Sequence, residues 1–297
     1  MPQSCENILT SASLYLTQLQ GHIFDLIEVF PPQNRESTIQ LTKIISKLSP
    51  LLGNMIEFST VDFLNSQEEY RELGIWKRQD PGFPDAIFSS AEITPVPGFE
   101  IKAWFPLSTE ITARFKDSQQ FFINNNTNVC ILAWLPEHII FGRPKIIDIC
   151  VVSGKSISKA RDQHYHNPPD YIILEPEDTT ERTQNLQQTN TNGYKWQGSP
   201  TQLDDANQLV ESWGNDARQY SPIPQYQYKM RQLLQRYPYR IDTNYAKIDR
   251  IQHEEIERFK QRVLDTVIYS MTIKQWTKLF NNGSPESIYN TLDNLIL

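Results

Sequence analysis

Pro84-Asp85-Ala86-Ile87-Phe88, the turn Thr94-Pro95-Val96-Pro97-Gly98, and Phe99-Glu100-Ile101-Lys102-Ala103-Trp104 are the stretch on which the fold turns. The two outer pieces are short apolar runs that read as strands, and the Pro- and Gly-rich piece between them reads as a turn, so together they predict a β-hairpin. Strand side chains alternate, which puts Glu100 and Lys102 on one face and Phe99, Ile101 and Ala103 on the other. A hairpin this tight brings Asp85 close to Glu100. Two neighbouring carboxylates repel unless a cation lies between them. Two hard oxygen ligands beside a lysine suit phosphodiester hydrolysis: the carboxylates hold Mg²⁺ and the lysine positions or deprotonates the attacking water. Only Lys102, of 14 lysines, has an acid two places earlier. About 1.6 such triplets would arise by chance, so its weight comes from the strand context. The plain alternative is an exposed edge hairpin with Glu and Lys on its solvent face.

Further runs that read as strands are 129–135, 146–152 and 171–174, with helix signals at 108–116 and 156–163. Upstream, apolar residues at helical spacing predict a helix over 4–29, closed by Pro31-Pro32, and a second over about 36–48, interrupted by Pro50. A short helix is expected from Leu51 to about Leu64. Residues 176–200 are polar, aperiodic and read as a loop. From about 201 the chain reads as helical, with the longest pattern running from His253 to Phe280 and a last short helix opened by Ser284-Pro285. Strands interleaved with helices predict an α/β (α+β) fold: a mixed central sheet flanked by helices, with a helical C-terminal part. The expected organisation is N-terminal helices over 1–49, a core over 50–175, the polar loop over 176–200, and a helical, basic part over 201–297 forming one compact unit with the core.

The 297 residues carry a net charge of −7, ordinarily a poor sign for a nucleic-acid partner. The charge is uneven: residues 1–217 sum to −11, residues 218–278 to +6 and the last 19 to −2. Clustered positive charge is the footprint of a polyanion binder, although Glu254, Glu255 and Glu257 could simply pair with Arg258, Lys260 and Arg262 along a solvated helix. The 14 Phe, 13 Tyr and 6 Trp argue against disorder. No apolar run is long enough to span a membrane, and no basic leader precedes the first helix. Cys5, Cys130 and Cys150 lack metal spacing and suit a reducing cytoplasm.

The motif resembles the PD-(D/E)xK nuclease superfamily in the arrangement of type II restriction endonucleases: Pro84-Asp85, 14 residues, then Glu100-Ile101-Lys102. The resemblance covers about 50–175 and implies an α-β-β-β-α-β core. It also implies Mg²⁺-dependent, sequence-specific cleavage of double-stranded DNA within a restriction-modification system, by a homodimer that cuts both strands. By the same resemblance Asp85 and Glu100 bind the metal and Lys102 acts on the water. Leu51-Leu52-Gly53-Asn54-Met55-Ile56-Glu57 resembles the preceding helix, with Glu57 as a third acid and Gly53 permitting close packing; Glu68, Glu69 and Glu72 compete for that role. Alternatives are a repair or recombination nuclease of the same superfamily, a non-catalytic DNA-binding or partner-binding protein, and a metal-free structural hairpin.

Candidates for DNA contact are Arg114 and Lys116 after the motif, Lys155 and Lys159 on the next helix, His164 within His164-Tyr165-His166, and Lys195 in the polar loop. Lys229, Arg231, Arg236 and Arg240 lie in a stretch where tyrosines alternate with bases, a mixture suited to phosphate contact and stacking. Each has a plain counterpart: a solvated helix face, a loop, a linker, or an amphipathic helix whose aromatics face a core.

Overall fold

The computed structural model describes residues 4–79, 82–107, 111, 122, 124–166, 194–196, 198–218, 221, 223–237, 239–241 and 253–295, without the side chains of 161–166, 194–196, 234 and 239–241. The fold is mixed α/β. The chain forms two compact units, residues 1–161 with 247–297, and residues 162–246. The segment 201–297, read from sequence as one part, is thus divided between both units.

In the larger unit, five strands form one sheet in the order β1-β2-β3-β4-β5: β1 (Ile75–Arg78), β2 (Ala86–Ser89), β3 (Gly98–Trp104), β4 (Thr127–Pro136) and β5 (Pro144–Ser153). All pairs are antiparallel except β3 with β4, which run parallel in register from Gly98↔Thr127 to Trp104↔Ala133. A parallel neighbour needs a crossover rather than a tight turn, and residues 105–126 supply it. β4 is buried from Val129 through Leu135, which explains its unbroken apolar run: a central strand covered on both faces has no polar side. The expected hairpin over 85–104 is present as β2–β3. Strand β1 escapes the sequence reading because Ile-Trp-Lys-Arg shows a single buried residue, Trp76, on an edge strand. The expected strand over 171–174 and the helix over 108–116 lie outside the described residues, apart from Ile111.

Helix α1 (Cys5–Thr17) starts at Ser4, whose hydroxyl accepts from the Asn7 amide, and it buries Ile8, Leu9, Ala12 and Leu16. It does not continue to 29. Gly21 turns the chain with φ +81°, and Ile23 and Val29 then pair as isolated bridges with Lys145 and Gly142. Backbone pairing with a partner far along the chain overrides the helical spacing of Ile23, Leu26 and Ile27. Helix α2 (Arg35–Ile44) opens with a capping box between Asn34 and Ser37 and tightens into a 3₁₀ turn over Ile45–Leu48. Pro50 opens the next helix, α3 (Ser49–Asn65), where its missing N–H costs nothing. Tyr70, Trp76, Phe88 and Phe99 form an edge-to-face and tilted cluster with ring centroids 5.2–6.0 Å apart on the sheet. Gly53 of α3 faces Ala103 of β3, but a Cβ placed there would lie 3.6 Å from the Ala103 Cβ, an ordinary contact, so the approach of the two elements does not itself require glycine.

On the opposite face of β3, Trp104 meets Phe259 of α7 (Glu254–Asp265). The long helix expected over 253–280 is two helices. α7 ends at Asp265, a two-stranded hairpin of β8 (Val267–Ile268) and β9 (Met271–Thr272) follows, and α8 (Ile273–Asn282) begins after it. The hairpin turn places both Tyr269 and Ser270 at positive φ, the geometry of a two-residue turn that Asn-Gly normally announces. Tyr-Ser gives no such signal in the sequence. Trp276 locks the hairpin by donating its indole N–H to the Ile268 carbonyl at 2.9 Å. Helix α9 (Pro285–Leu295) follows Ser284-Pro285 as expected. Helix α4 (Gly154–His166) follows β5 directly.

The smaller unit contains β6 (Tyr194–Trp196), α5 (Pro200–Glu211), α6 (Pro224–Arg236) and β7 (Tyr239–Ile241), with β6 and β7 paired antiparallel. Leu203, Ala206 and Val210 of α5 pack with Ala217, Met230, Leu233 and Tyr237 in a core of its own. Among the described residues no helix is long and apolar enough to cross a membrane.

Candidate active site

The β2–β3 ladder is only two pairs long, Ala86↔Phe99 and Ile87↔Gly98. Beyond Ala86 the strands part, and Asp85 takes over the missing strand contact. Its Oδ2 accepts the Ile101 amide at 2.7 Å, an N–H that would otherwise seek a β2 carbonyl. Gly98 is where the two strands come closest, because a Cβ there would sit 2.5 Å from Pro84 Cγ and 3.1 Å from the Ala86 carbonyl. Absence of that Cβ lets Pro84-Asp85 lie against β3.

The parting exposes the flank of β3 to three charged groups. Lys102 Nζ is 3.0 Å from Asp85 Oδ2 and 2.8 Å from Glu100 Oε1. The structure therefore brings Asp85, Glu100 and Lys102 together. Their side chains are 22 %, 10 % and 21 % exposed, so this is a largely desolvated cluster with access to solvent on one side. The second oxygen of Glu100 is buried without any hydrogen-bond partner among the described residues, a costly arrangement for a carboxylate. Burial pushes the Glu100 carboxyl above its ordinary range, with the Lys102 charge opposing and Asp85 adding to the shift. Burial alone would lower the Lys102 ammonium, but the charges and hydrogen bonds of Glu100 and Asp85 outweigh it and hold the group above its ordinary range. Lys102 is accordingly a charged donor here. The removal of one positive charge would leave two carboxylates facing each other.

Helix α3 brings Glu57 to the same cluster. Its carboxyl is pushed up to about 7, first by burial, then with Lys102 opposing, Asp85 and Glu100 adding, and Arg78 opposing. Of the competing acids, Glu68 is an exposed surface residue paired with Arg71, Glu69 in the 3₁₀ turn after α3 is a hydrogen-bond partner of Tyr15, and Glu72 is exposed. Glu57 is thus the acid whose electrostatic neighbours are the motif residues. Because folding favours its neutral form, the stability Glu57 confers is complete below its ordinary value near 4.5 and is lost as pH rises through about 7. Glu57→Gln is expected to raise stability at pH 8 by about 1–2 kcal/mol, discounted because water reaches this half-buried side chain. At pH 4.5 the same substitution should change nothing. Urea melts at the two pH values check this; equal effects at both would remove the assigned shift.

Arg78, at the end of β1, is a neighbour the sequence did not single out. Nothing could have flagged it without β1 itself, since Arg78 reaches the site only through its pairing with Ala86, the residue after Asp85. Among the described residues no three His, Cys, Asp or Glu side chains gather into a metal-holding group by themselves; the Lys102 ammonium stands between the two nearest carboxylates. A separate cavity of about 400 Å³, lined among others by Cys5, Thr94, Asn125 and Asn128, contains none of the motif residues.

The candidates for DNA contact fall in both units. Lys155 and Lys159 are exposed on α4 in the larger unit, and Lys229, Arg231 and Arg236 are exposed on α6 in the smaller one. Arg114 and Lys116 lie outside the described residues, as do the side chains of His164, Lys195 and Arg240; the backbone register sets Lys195 of β6 opposite Arg240 of β7. The basic stretch 218–278 is divided between the two units. In α7, Arg258 pairs with Glu254, Lys260 with Glu257 at 2.9 Å, and Arg262 with Asp148 of β5 at 2.8 Å. For Arg258 and Lys260 the structure shows the plain reading, pairing along the helix, whereas Arg262 pairs across to β5 instead. No protein-family model, characterised protein or solved structure matches this chain.

Proposed function

We propose that this chain is a Mg²⁺-dependent endonuclease of double-stranded DNA, of the restriction type, working as a homodimer. The observation that carries the reading is the cluster at the parting of β2 and β3: one ammonium bridging two carboxylates, one of which keeps a buried oxygen without a partner. The order α3, then antiparallel β1, β2 and β3, then β4 parallel to β3 supports the reading as far as the described residues reach; the helix that the α-β-β-β-α-β core places between β3 and β4 falls outside them.

The donor set fits a hard divalent cation. Carboxylate oxygens are its preferred ligands, and the unpartnered Glu100 Oε2 gains a partner if one binds. Asp85 and Glu100 would hold it, and Glu57 is an electrostatic neighbour of both. Such a cation supplies Lewis-acid charge for the phosphate and lowers the pKa of water.

The protein groups divide the remaining work. An ammonium nitrogen has three donors, and Lys102 spends one each on Asp85 and Glu100. The third is left for a water or a phosphate oxygen. There it would position the water or stabilise the phosphate. The Asp85–Ile101 hydrogen bond fixes the carboxylate against β3, so the site is built on a strand rather than a loop. Hydrolysis joins the water oxygen to phosphorus and breaks the bond to the leaving sugar oxygen, which takes up a proton.

Supercoiled plasmid incubated with the protein in 10 mM Mg²⁺, and in EDTA, tests the reading. Discrete bands in Mg²⁺ only are expected. A smear would point to a non-specific nuclease of the same chemistry, and no cutting at any protein level overturns the proposal. The same ion-paired geometry also suits a metal-free structural cluster, which predicts neither cutting nor any stabilisation by Mg²⁺.

A further inference from the structure

Resting on the endonuclease reading, we infer that α6 in the smaller unit is a major-groove reading helix, and that its outward face selects the DNA sequence.

The helix has two faces of opposite chemistry. Tyr226, Met230, Leu233 and Tyr237 are buried, and most of them join the core shared with α5. The other face presents Tyr228, Arg231, Gln232 and Gln235 at i, i+3, i+4 and i+7, all exposed, flanked by exposed Lys229 and Arg236. From Arg218 to Ile241 the sequence holds five Lys and Arg and no Asp or Glu. Among the described residues no carboxylate pairs with Lys229, Arg231 or Arg236, whereas the three bases of α7 are all paired. Among the described residues of the same unit the exposed acids lie off α6: Asp204, Asp205 and Glu211 on α5, and Asp216 after it. A face that concentrates cations and excludes acids complements a polyanion.

The side-chain types on that face narrow the polyanion to a duplex. Arg pairs with the guanine major-groove edge by two hydrogen bonds, and Gln pairs with adenine in the same way. Tyr228 and Gln235 run along the middle of the outward stripe, with Arg231 and Gln232 to either side of it, all within reach of base edges for a helix in a groove. Gln232 is adjacent and donates to the Tyr228 hydroxyl at 2.8 Å, which holds its amide in one orientation. Lys229 and Arg236 lie to one side, where a groove wall carries phosphates. Lys229 sits 5.9 Å over the Trp213 ring and Arg236 5.1 Å over the Tyr237 ring, which directs both cations. Thirteen residues make a helix about 20 Å long and about 10–12 Å across, matching a major groove about 12 Å wide.

The test uses the full-length protein in EDTA, a labelled 30-bp duplex of mixed sequence, a single strand of equal length, and selection from a randomised duplex library. Two double variants are compared, both at exposed positions, with circular dichroism to confirm folding. Lys229→Gln with Arg236→Gln should weaken duplex binding about tenfold at every sequence and flatten the salt slope by about 1.8. Arg231→Ala with Gln235→Ala should lower the preference for the selected sequence about ten- to a hundredfold while non-specific binding changes little. If both variants bind and select like the wild type while the wild type still cuts plasmid in Mg²⁺, the role of α6 is overturned and the endonuclease reading stands. If the wild type neither binds duplex nor cuts, both fall. Loss confined to the single strand overturns the groove assignment.

Discussion

Asp85→Asn is expected to cut supercoiled plasmid at least about a thousandfold more slowly than the wild type in 10 mM Mg²⁺, with duplex affinity in EDTA unchanged within threefold. Asparagine keeps the shape of the side chain and can still accept the Ile101 amide that Asp85 Oδ2 now takes at 2.7 Å, so β2 and β3 keep their relation. What disappears is one of two formal charges beside Lys102. Loss of a carboxylate that holds a catalytic cation removes about 4 kcal/mol of transition-state stabilisation, which is about a thousandfold in rate. Decay of the supercoiled form measures the rate, and fluorescence anisotropy measures binding. Wild-type cutting by this variant would remove Asp85 from the mechanism.

Lys102→Met is expected to lower stability by about 2–4 kcal/mol at pH 8 without divalent cations. Breaking a largely buried ion pair from one side costs more than the pair itself is worth, because the remaining charge has no partner. Here two charges remain, Asp85 and Glu100, and both lay within 3.0 Å of the ammonium. Burial already raises the Glu100 carboxyl. Without the lysine it rises further, so protonation relieves the repulsion as pH falls and the loss should shrink at pH 5. Addition of 10 mM Mg²⁺ should restore the variant more than it stabilises the wild type, since a cation then replaces the missing ammonium. Thermal melts at the two pH values, with and without Mg²⁺, read all three effects. A loss that ignores both pH and Mg²⁺ would mean that Lys102 contributes packing alone.

The legibility of this chain differs from element to element. Asp85, Glu100 and Lys102 could be placed together from sequence because a hairpin is local: turn residues and strand alternation determine which side chains share a face. Glu57 competed with Glu68, Glu69 and Glu72, and only the packing of α3 on β3 separates it from them. Arg78 was invisible, since its strand carries a single buried residue. The helix expected over 4–29 failed at residue 18 because the following segment pairs with β5 and its turn, more than a hundred positions away. The helix expected over 253–280 failed at Thr266 because two positive-φ residues that are not glycine make the turn.

The charge distribution shows the same boundary. Sequence alone determined that positive charge gathers after residue 217, since counting requires no fold. Tertiary structure decided which of it is free to act. Arg262 is held by Asp148, a partner 114 residues away, and Arg258 and Lys260 by acids one turn back on α7. On α6 the cations face outward because the aromatic and aliphatic side chains of the same helix are buried in the smaller unit's core. Local spacing fixes which residues share a helix face or a strand face; long-range packing fixes whether that face meets water, a carboxylate or the rest of the core. That is why the motif could be read from the chain, while its third acid and the exposed basic helix required the fold.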